Sequence, residues 1–167
     1  SLEVSCVGRS LALLAGQGLA EMGHLPQGWT PEHLGQIIQT ACLAHDIGNP
    51  PFGHAGEEGI RDWFKDTGHT EHYFKDLRPT ERADFEIFDG NAQGFRVVNT
   101  LENNKDSGGL RLTFPVLASL VKYPCSAHEA LGRGSGKFNY YTAEKEIFED
   151  IFSTLGLMHD GRARRHP

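Results

Sequence analysis

The sequence has little of several features that mark other classes of protein. Its 167 residues include only three cysteines, an odd number without a Cys-x-x-Cys pair, which excludes a disulfide framework and a cysteine-based zinc site. Its longest mostly apolar stretch, residues 11–20, is far shorter than the roughly 20 residues that span a bilayer. Positive charge is also scarce, because 16 Lys and Arg against 22 Asp and Glu give a net charge of −6, which argues against a general nucleic-acid binder. These absences predict a cytoplasmic protein without a membrane segment.

The composition that is present suits a globular domain. Hydrophobic residues make up 38% of the sequence and charged residues 23%, which argues against a disordered chain. The length corresponds to about one domain. The sequence does not begin with Met and it stops in Arg-Arg-His-Pro. We therefore interpret residues 1–167 as a single partial domain that is truncated at both ends.

Helical periodicity dominates the sequence. Apolar residues recur at spacings of three and four over residues 4–14, which predicts a first helix with one apolar stripe. Thr30 as N-cap and Pro31 at the first helical position predict a second helix, whose buried face extends to His45. Further helices are predicted near residues 54–64, 91–103, 113–123 and 142–155, with irregular chain at 65–84 and a mobile loop at 125–137.

Apolar and polar residues almost never alternate over the length of a strand, so the fold class is predicted to be all-α, with several packed helices and long loops. A short hairpin at residues 138–141 is the one β feature that the sequence allows. Six aromatic residues are predicted to lie in the core: Trp29, Trp63, Phe64, Phe85, Phe95 and Phe148.

Residues 45–57 concentrate the groups that can do chemistry. The segment reads His-Asp-Ile-Gly-Asn-Pro-Pro-Phe-Gly-His-Ala-Gly-Glu. Imidazole and carboxylate are common ligands of divalent metals, so His45 and Asp46 are candidate metal ligands at a helix end. His54 and Glu57 are three residues apart and share one helix face, which is typical of an acid/base group with an orienting carboxylate. Either pair alone is commonly a surface contact, but both pairs around one Gly/Pro turn favour a functional site.

Residues 44–57 also resemble the central signature of the HD-domain superfamily and, more narrowly, of the deoxyguanosine-triphosphate triphosphohydrolase (dGTPase) family. Residues 88–96, Phe-Asp-Gly-Asn-Ala-Gln-Gly-Phe-Arg, resemble that family's F-E-G-N-A-Q-x-x-R block, with Asp89 in place of the common Glu. Residues 137–140 resemble its K-F-G-Y/F block, with Asn139 in place of Gly. Residues 1–9 and 112–124 resemble two more blocks, so the matching segments cover most of the chain in the family's order.

The resemblance implies an HD-domain helical fold and an enzymatic reaction, the hydrolysis of dGTP or another dNTP to the deoxynucleoside and triphosphate. It implies a divalent metal, Mg²⁺ or Mn²⁺ before other transition metals, with His45 and Asp46 as ligands. It gives the catalytic role to His54, held by Glu57. Three more residues resemble the family's phosphate- and sugar-contacting groups: Lys122, Tyr123 and Lys137.

The same resemblance implies that this sequence lacks two metal ligands. The family's metal site uses one His, the His-Asp pair and a distant Asp. The first His would directly precede Ser1, and the last Asp would follow Pro167. His24 and His33 do not replace them by motif. We therefore expect residues 1–167 alone to bind the metal weakly and to be inactive.

Two other functions stay open at this point: an HD-superfamily phosphodiesterase or nucleotidase, and a non-catalytic, nucleotide-binding regulatory module. The Asn-Ala-Gln and Lys-Tyr-Pro segments speak against the first alternative. Intact His54 and Glu57 speak against the second, whereas the missing ligands speak for it. The resemblance also implies a homo-oligomer in the full-length protein. It leaves a nucleic-acid effector open, without support from the sequence.

Overall fold

The fold is built from short and long helices. The computed structural model describes residues 1–103, 108–159 and 164–165. None of the described helices is both long and apolar enough to cross a membrane. The all-α prediction is confirmed by nine α-helices in the described residues: α1 (Leu2–Glu21), α2 (Pro31–Ala44), α3 (His54–Lys65), α4 (Thr67–Phe74), α5 (Pro79–Glu86), α6 (Gly90–Arg96), α7 (Phe114–Ser119), α8 (Ala127–Gly132) and α9 (Lys145–Thr154).

Four smaller elements complete the described chain. A π-helical turn continues α6, and a 3₁₀ turn leads into α9. Two strands of two residues each pair in antiparallel orientation. Their bounds are Val97–Leu101 for the π-helical turn, Thr142–Glu144 for the 3₁₀ turn, Met158–His159 for β1 and Arg164–Arg165 for β2.

Helix α1 packs on α2 through its small residues. Ser5, Ala12 and Gly16 are the buried residues of α1. A Cβ atom on Gly16 would approach the Cα atom of Pro31 to 2.8 Å, which shows how closely the two helices lie. The apolar stripe predicted for α1 lies on another face, where Val4, Val7, Leu11 and Leu14 are 45–65% exposed. Periodicity thus located the helix, whereas residue size determines the face that packs.

The core lies among α5 to α9 and the segment 138–141. Phe148 is fully buried, and its ring stacks on Tyr140 at 4.1 Å and on Phe152 at 4.4 Å between centroids. Phe95 meets the same ring edge-on. Of the six aromatic residues predicted to be core, Phe95 and Phe148 are buried and Phe64 is partly buried. The prediction is wrong for the other three, which are exposed: Trp29, Trp63 and Phe85.

Two segments predicted to be irregular or mobile are in fact helical. Residues 65–84 contain α4 and most of α5, and residues 125–137 contain α8. Glutamates in the first turn cap two of these helices: Glu81 accepts the Arg78 N–H at 2.8 Å, and Glu129 accepts the Ser126 N–H at 2.8 Å. Helices this short depend on their caps.

Two further predictions need correction. The helix predicted at 113–123 ends at Ser119. The described residues 138–141 form no hairpin, because Tyr140 makes a single parallel bridge with Ser126 instead.

Candidate active site

The loop at residues 45–53 connects α2 to α3 and carries the His-Asp pair. Gly48 is buried in the middle of this loop. A Cβ atom there would overlap the main chain of Gly90 and Gly94 in α6. Only glycine permits this approach, so the loop is held directly against the backbone of α6.

His45 and Asp46 face each other at the end of α2. His45 Nε2 lies 2.8 Å from Asp46 Oδ2, and His45 Nδ1 lies 2.7 Å from the carbonyl oxygen of Cys42. Because a carbonyl oxygen only accepts, Nδ1 carries the hydrogen, and Nε2 is the nitrogen that a cation can use. Asn49 donates to Asp46 Oδ1 at 2.8 Å, which keeps Oδ2 beside the imidazole. The two side chains are 39% and 55% exposed, so the prediction that His45 continues a buried stripe is wrong.

This pair fits a divalent metal as part of a ligand set. An imidazole nitrogen and a carboxylate oxygen side by side are suitable donors for such an ion. Within residues 1–103, 108–159 and 164–165, no group of three or more His, Cys, Asp and Glu residues could hold a metal. His33 is used elsewhere, since its Nδ1 accepts the Thr30 N–H at 3.0 Å and caps α2. His45 and Asp46 alone therefore leave most coordination positions to water.

His54 and Glu57 form a hydrogen-bonded pair on the first turn of α3. His54 Nδ1 lies 3.1 Å from Glu57 Oε2. The His54 side chain is 85% exposed, whereas that of Glu57 is 4% exposed. Because an ionised carboxylate only accepts, Nδ1 donates to it, and Nε2 takes no part in this hydrogen bond. A buried carboxylate thus orients an exposed imidazole.

Three further donors hold Glu57. The Gly90 N–H donates to Oε1 at 2.8 Å, and Arg61 Nη2 and Lys137 Nζ each lie 3.3 Å from Oε2. Burial raises the pKa of Glu57, but the hydrogen bonds from Gly90 and His54 and the charge of Lys137 outweigh burial, so this pKa lies below its ordinary value. Glu57 is therefore an ionised carboxylate and not a proton donor.

Most of the predicted site residues lie at one cavity of about 610 Å³. His45, Asp46, His54 and Lys122 line it, and Glu57 reaches it through its hydrogen bond to His54. A smaller cavity of about 280 Å³ shares Lys122, and its lining includes the other two predicted substrate residues, Tyr123 and Lys137. A third cavity, of about 750 Å³, contains none of the predicted site residues and is lined by apolar and aromatic groups together with four charged side chains.

The three predicted substrate residues differ in how they are held. Lys122 is exposed, and its Nζ lies 5.3 Å from the centroid of the Tyr123 ring. Lys137 is tied to two carboxylates, with its Nζ 3.0 Å from Asp89 Oδ2 and 3.3 Å from Glu57 Oε2. Partial burial lowers the pKa of Lys137, but these carboxylates outweigh burial and raise it above its ordinary value.

Sequence reasoning missed two residues that hold this site together. Arg61 lies four residues after Glu57 on α3, so helical spacing could have identified it. Asn139 is fully buried, and its Oδ1 accepts the backbone N–H groups of Lys122 and Tyr123 at 2.7 and 3.1 Å. Its only sequence signal is that it replaces a glycine of the related family.

Comparison with known proteins identifies similar chains in several bacteria. A deoxyguanosinetriphosphate triphosphohydrolase-like protein of Pseudomonas aeruginosa (strain LESB58) is 47% identical over 171 residues, which cover 100% of this chain and 38% of that protein. A protein of the same name from Synechocystis sp. is 43% identical over 95% of this chain and 38% of its own length. A deoxyguanosinetriphosphate triphosphohydrolase of Enterobacter sp. (strain 638) is 32% identical over 97% of this chain and 37% of its own length.

The chain thus spans little more than a third of the length of these curated relatives. The protein-family model of the HD domain matches residues 1–109, which contain α1 to α6 and both candidate pairs, His45–Asp46 and His54–Glu57. Because this match covers more than half of the sequence, the chain belongs to the HD domain family.

Proposed function

We propose that this chain carries the His-Asp and acid/base parts of a metal-dependent hydrolase that converts dGTP or another dNTP to a deoxynucleoside and triphosphate. The observation that carries the proposal is the hydrogen bond of His54 to buried Glu57, beside the cavity that His45 and Asp46 also line. The names of the relatives support the substrate class. Because the chain covers only part of their length, we assign the activity to the longer protein that contains it.

The metal belongs at the His45–Asp46 pair. We assign His45 Nε2 and Asp46 Oδ2 as two of its ligands, since these atoms lie side by side and accessible at the cavity. A bound Mg²⁺ or Mn²⁺ would polarise an α-phosphate oxygen and offset part of the negative charge of the substrate. The described residues bring no third His, Cys, Asp or Glu to this pair, and two donors hold an ion in no single geometry, so we propose that the remaining ligands come from other parts of the full-length protein.

His54 is the residue that we assign to proton transfer. Its Nδ1–H is committed to Glu57, so Nε2 can accept a proton from the water that attacks the α-phosphorus. The water oxygen forms the new bond to phosphorus, the bond to the 5′ oxygen breaks, and that oxygen receives a proton to leave as the deoxynucleoside. Ionised Glu57 stabilises the imidazolium between these two proton transfers.

Lys122, Tyr123 and Lys137 are assigned to the substrate. A dNTP carries roughly four negative charges, and cations fixed at the site reduce the cost of bringing them together. Exposed Lys122 stands where the two cavities meet, so a phosphate group can reach it from either side. Lys137 places a positive charge in the wall of the smaller cavity. Tyr123 also lines this cavity, where its ring and hydroxyl can contact the sugar.

The test is product analysis with the full-length protein, dGTP and Mn²⁺. Release of intact triphosphate and deoxyguanosine supports the proposal. Release of a monophosphate would instead identify a phosphodiesterase or nucleotidase. A full-length protein that binds Mn²⁺ and nucleotide without turnover would identify the regulatory module.

Calorimetric titration of Mn²⁺ tests the metal assignment separately. We expect His45→Ala to lower the Mn²⁺ affinity of the full-length protein at least tenfold, whereas His33→Ala, the matched control in the α2 cap, should not change it. Residues 1–167 alone should bind Mn²⁺ more weakly than the full-length protein and release no triphosphate. Equal affinity and equal turnover in both proteins would contradict the ligand set.

The remaining assignments stay predictions. A cytoplasmic location follows from the cysteine pattern, and a homo-oligomer follows from the resemblance to dGTPases. Size-exclusion chromatography with light scattering on the full-length protein checks the second.

A further inference from the structure

Asp89 lies directly behind the acid/base pair, at the N-cap of α6. It is fully buried. Its Oδ1 accepts hydrogen bonds from the backbone N–H of Asn91 at 2.8 Å and from the Asn91 side-chain amide at 2.7 Å. Its Oδ2 lies 3.0 Å from Lys137 Nζ. One carboxylate therefore fixes Asn91, which lines the 610 Å³ cavity, and the amine of Lys137.

The residue that follows Asp89 holds Glu57 directly. The Gly90 N–H donates to Glu57 Oε1, and the other carboxylate oxygen of Glu57 lies 3.3 Å from Lys137 Nζ. A Cβ atom on Gly90 would come within 3.0 Å of Glu57 Oε1, so α6 begins in close contact with this carboxylate. The start of α6 thus supports Glu57 in two ways. The Gly90 N–H donates to it directly, and Lys137 pairs with both Asp89 and Glu57.

The charges of this cluster balance. Glu57 and Asp89 supply two negative charges, and Arg61 and Lys137 supply two positive charges within 3.3 Å of them. A buried carboxylate without a cation is strongly unfavourable, so Asp89 keeps Lys137 ionised and inside the cluster. Lys137 follows the exposed segment 132–136, which contains three glycines, and its backbone N–H donates to Ser135 Oγ at 3.2 Å.

We propose that Asp89 is a positioning residue of this site: it anchors Lys137 against Glu57, and Lys137 in turn helps to hold the Glu57 carboxylate on His54. Asp89 does not touch the substrate, because it is fully buried behind Lys137 and Asn91. Its catalytic consequence rests on the function proposed above, whereas the anchoring of Lys137 does not.

A double-mutant cycle in the full-length protein tests the route through Lys137. Asp89→Asn keeps an oxygen for the cap of α6 and removes the charge. We expect it to lower kcat/KM for dGTP by about 10- to 100-fold, because Lys137, which we assign to the substrate, loses its anchor and Glu57 loses the support of Lys137. The variant Asp89→Asn/Lys137→Met should be no less active than Lys137→Met alone. Losses that add in full would overturn the proposal.

Asp84→Asn is the matched control for this cycle. Like Asp89, Asp84 is a carboxylate that accepts a backbone N–H, but it is only partly buried and lines the separate 750 Å³ cavity. Its kcat/KM should stay within threefold of the wild-type value. Thermal melting of every variant checks that it is folded. If Asp89→Asn unfolds, the double variant can still be assayed, because it removes the negative and the positive charge together. Wild-type kcat in a folded double variant would overturn the proposal.

A titration of Lys137 separates this proposal from the proposed function. The side-chain resonances of Lys137 are followed by NMR against pH in the wild type and in Asp89→Asn. The pKa of Lys137 should fall in the variant, because its partial burial persists while one of two carboxylates is lost. An unchanged pKa would overturn the anchoring role even in an active enzyme. A wild-type protein without triphosphohydrolase activity but with this pKa change would instead contradict the proposed function alone.

Discussion

Asp84 offers a test in which the sign and size of a pH effect follow from the structure. Its Oδ2 accepts the Thr142 N–H at 2.8 Å, while its buried Oδ1 has no hydrogen-bond partner among the described residues. Burial raises the pKa of this carboxyl from 3.8 to about 6, although the hydrogen bond from Thr142 and the charge of Arg96 act in the opposite direction. Between these two values the folded protein binds a proton that the unfolded chain has lost.

Ionisation of Asp84 therefore destabilises the folded protein, and the contribution of Asp84 to the free energy of unfolding should fall as the pH rises from about 4 through about 6. The difference between the two pKa values corresponds to about 3 kcal/mol at most, and partial access to solvent reduces the expected effect to about 1–2 kcal/mol. Asp84→Asn removes the charge and retains an oxygen for Thr142. The variant should be more stable than the wild type by about 1–2 kcal/mol at pH 8 and nearly equal to it at pH 4.

Urea unfolding followed by circular dichroism at pH 4, 6 and 8 measures this difference. Glu81→Gln is a control of opposite sign, because the hydrogen bond from Arg78, 2.8 Å away, holds the pKa of Glu81 below its ordinary value. This variant should be less stable than the wild type at pH 8, and the deficit should shrink as the pH falls. An Asp84→Asn advantage that is equal at pH 4 and pH 8 would refute the reasoning.

Two further predictions concern the catalytic residue and the loop that precedes it. His54→Ala should lower the turnover of the full-length protein by about 10²- to 10⁴-fold, because a proton-transfer group is lost. Its Mn²⁺ affinity should not change, because no metal ligand is removed. Unchanged turnover in a dGTP assay would show that His54 has only a structural role. Gly48→Ala should lose about 2 kcal/mol or more of unfolding free energy, because its Cβ overlaps the main chain of Gly90 and Gly94. Gly59→Ala is the matched control, because its Cβ enters open space on α3. It should change the unfolding free energy by less than about 1 kcal/mol, and thermal unfolding measures both variants.

The sequence predicted those parts of the fold that depend on local signals. Helices α1, α2, α3 and α9 follow from apolar spacing and from starts such as Thr30-Pro31. Helices α4, α5 and α8 were missed because each has only six to eight residues, too few to show a clear apolar period. The exposed stripe of α1 shows a second limit: periodicity finds the apolar face, but the packing of Gly16 on Pro31 depends on tertiary contacts.

The candidate site divides in the same way. His54 and Glu57 could be paired from their spacing, because three residues along a helix bring side chains onto one face. No such rule connects Lys137 to Glu57, which lies 80 positions earlier, or to Asp89. These ion pairs arise only when α3, the start of α6 and the chain before Phe138 fold together.

The two departures from the dGTPase pattern, at residues 89 and 139, bear on the choice between an enzyme and a non-catalytic module. Asp89, in place of Glu, is fully buried and holds Lys137 and Asn91. Asn139, in place of Gly, is also fully buried, and it fixes the main chain that presents Lys122 and Tyr123. Both departures therefore supply contacts to the candidate site instead of removing them. For this reason they do not favour the non-catalytic alternative, and the choice depends on whether the full-length protein completes the metal ligands around His45 and Asp46.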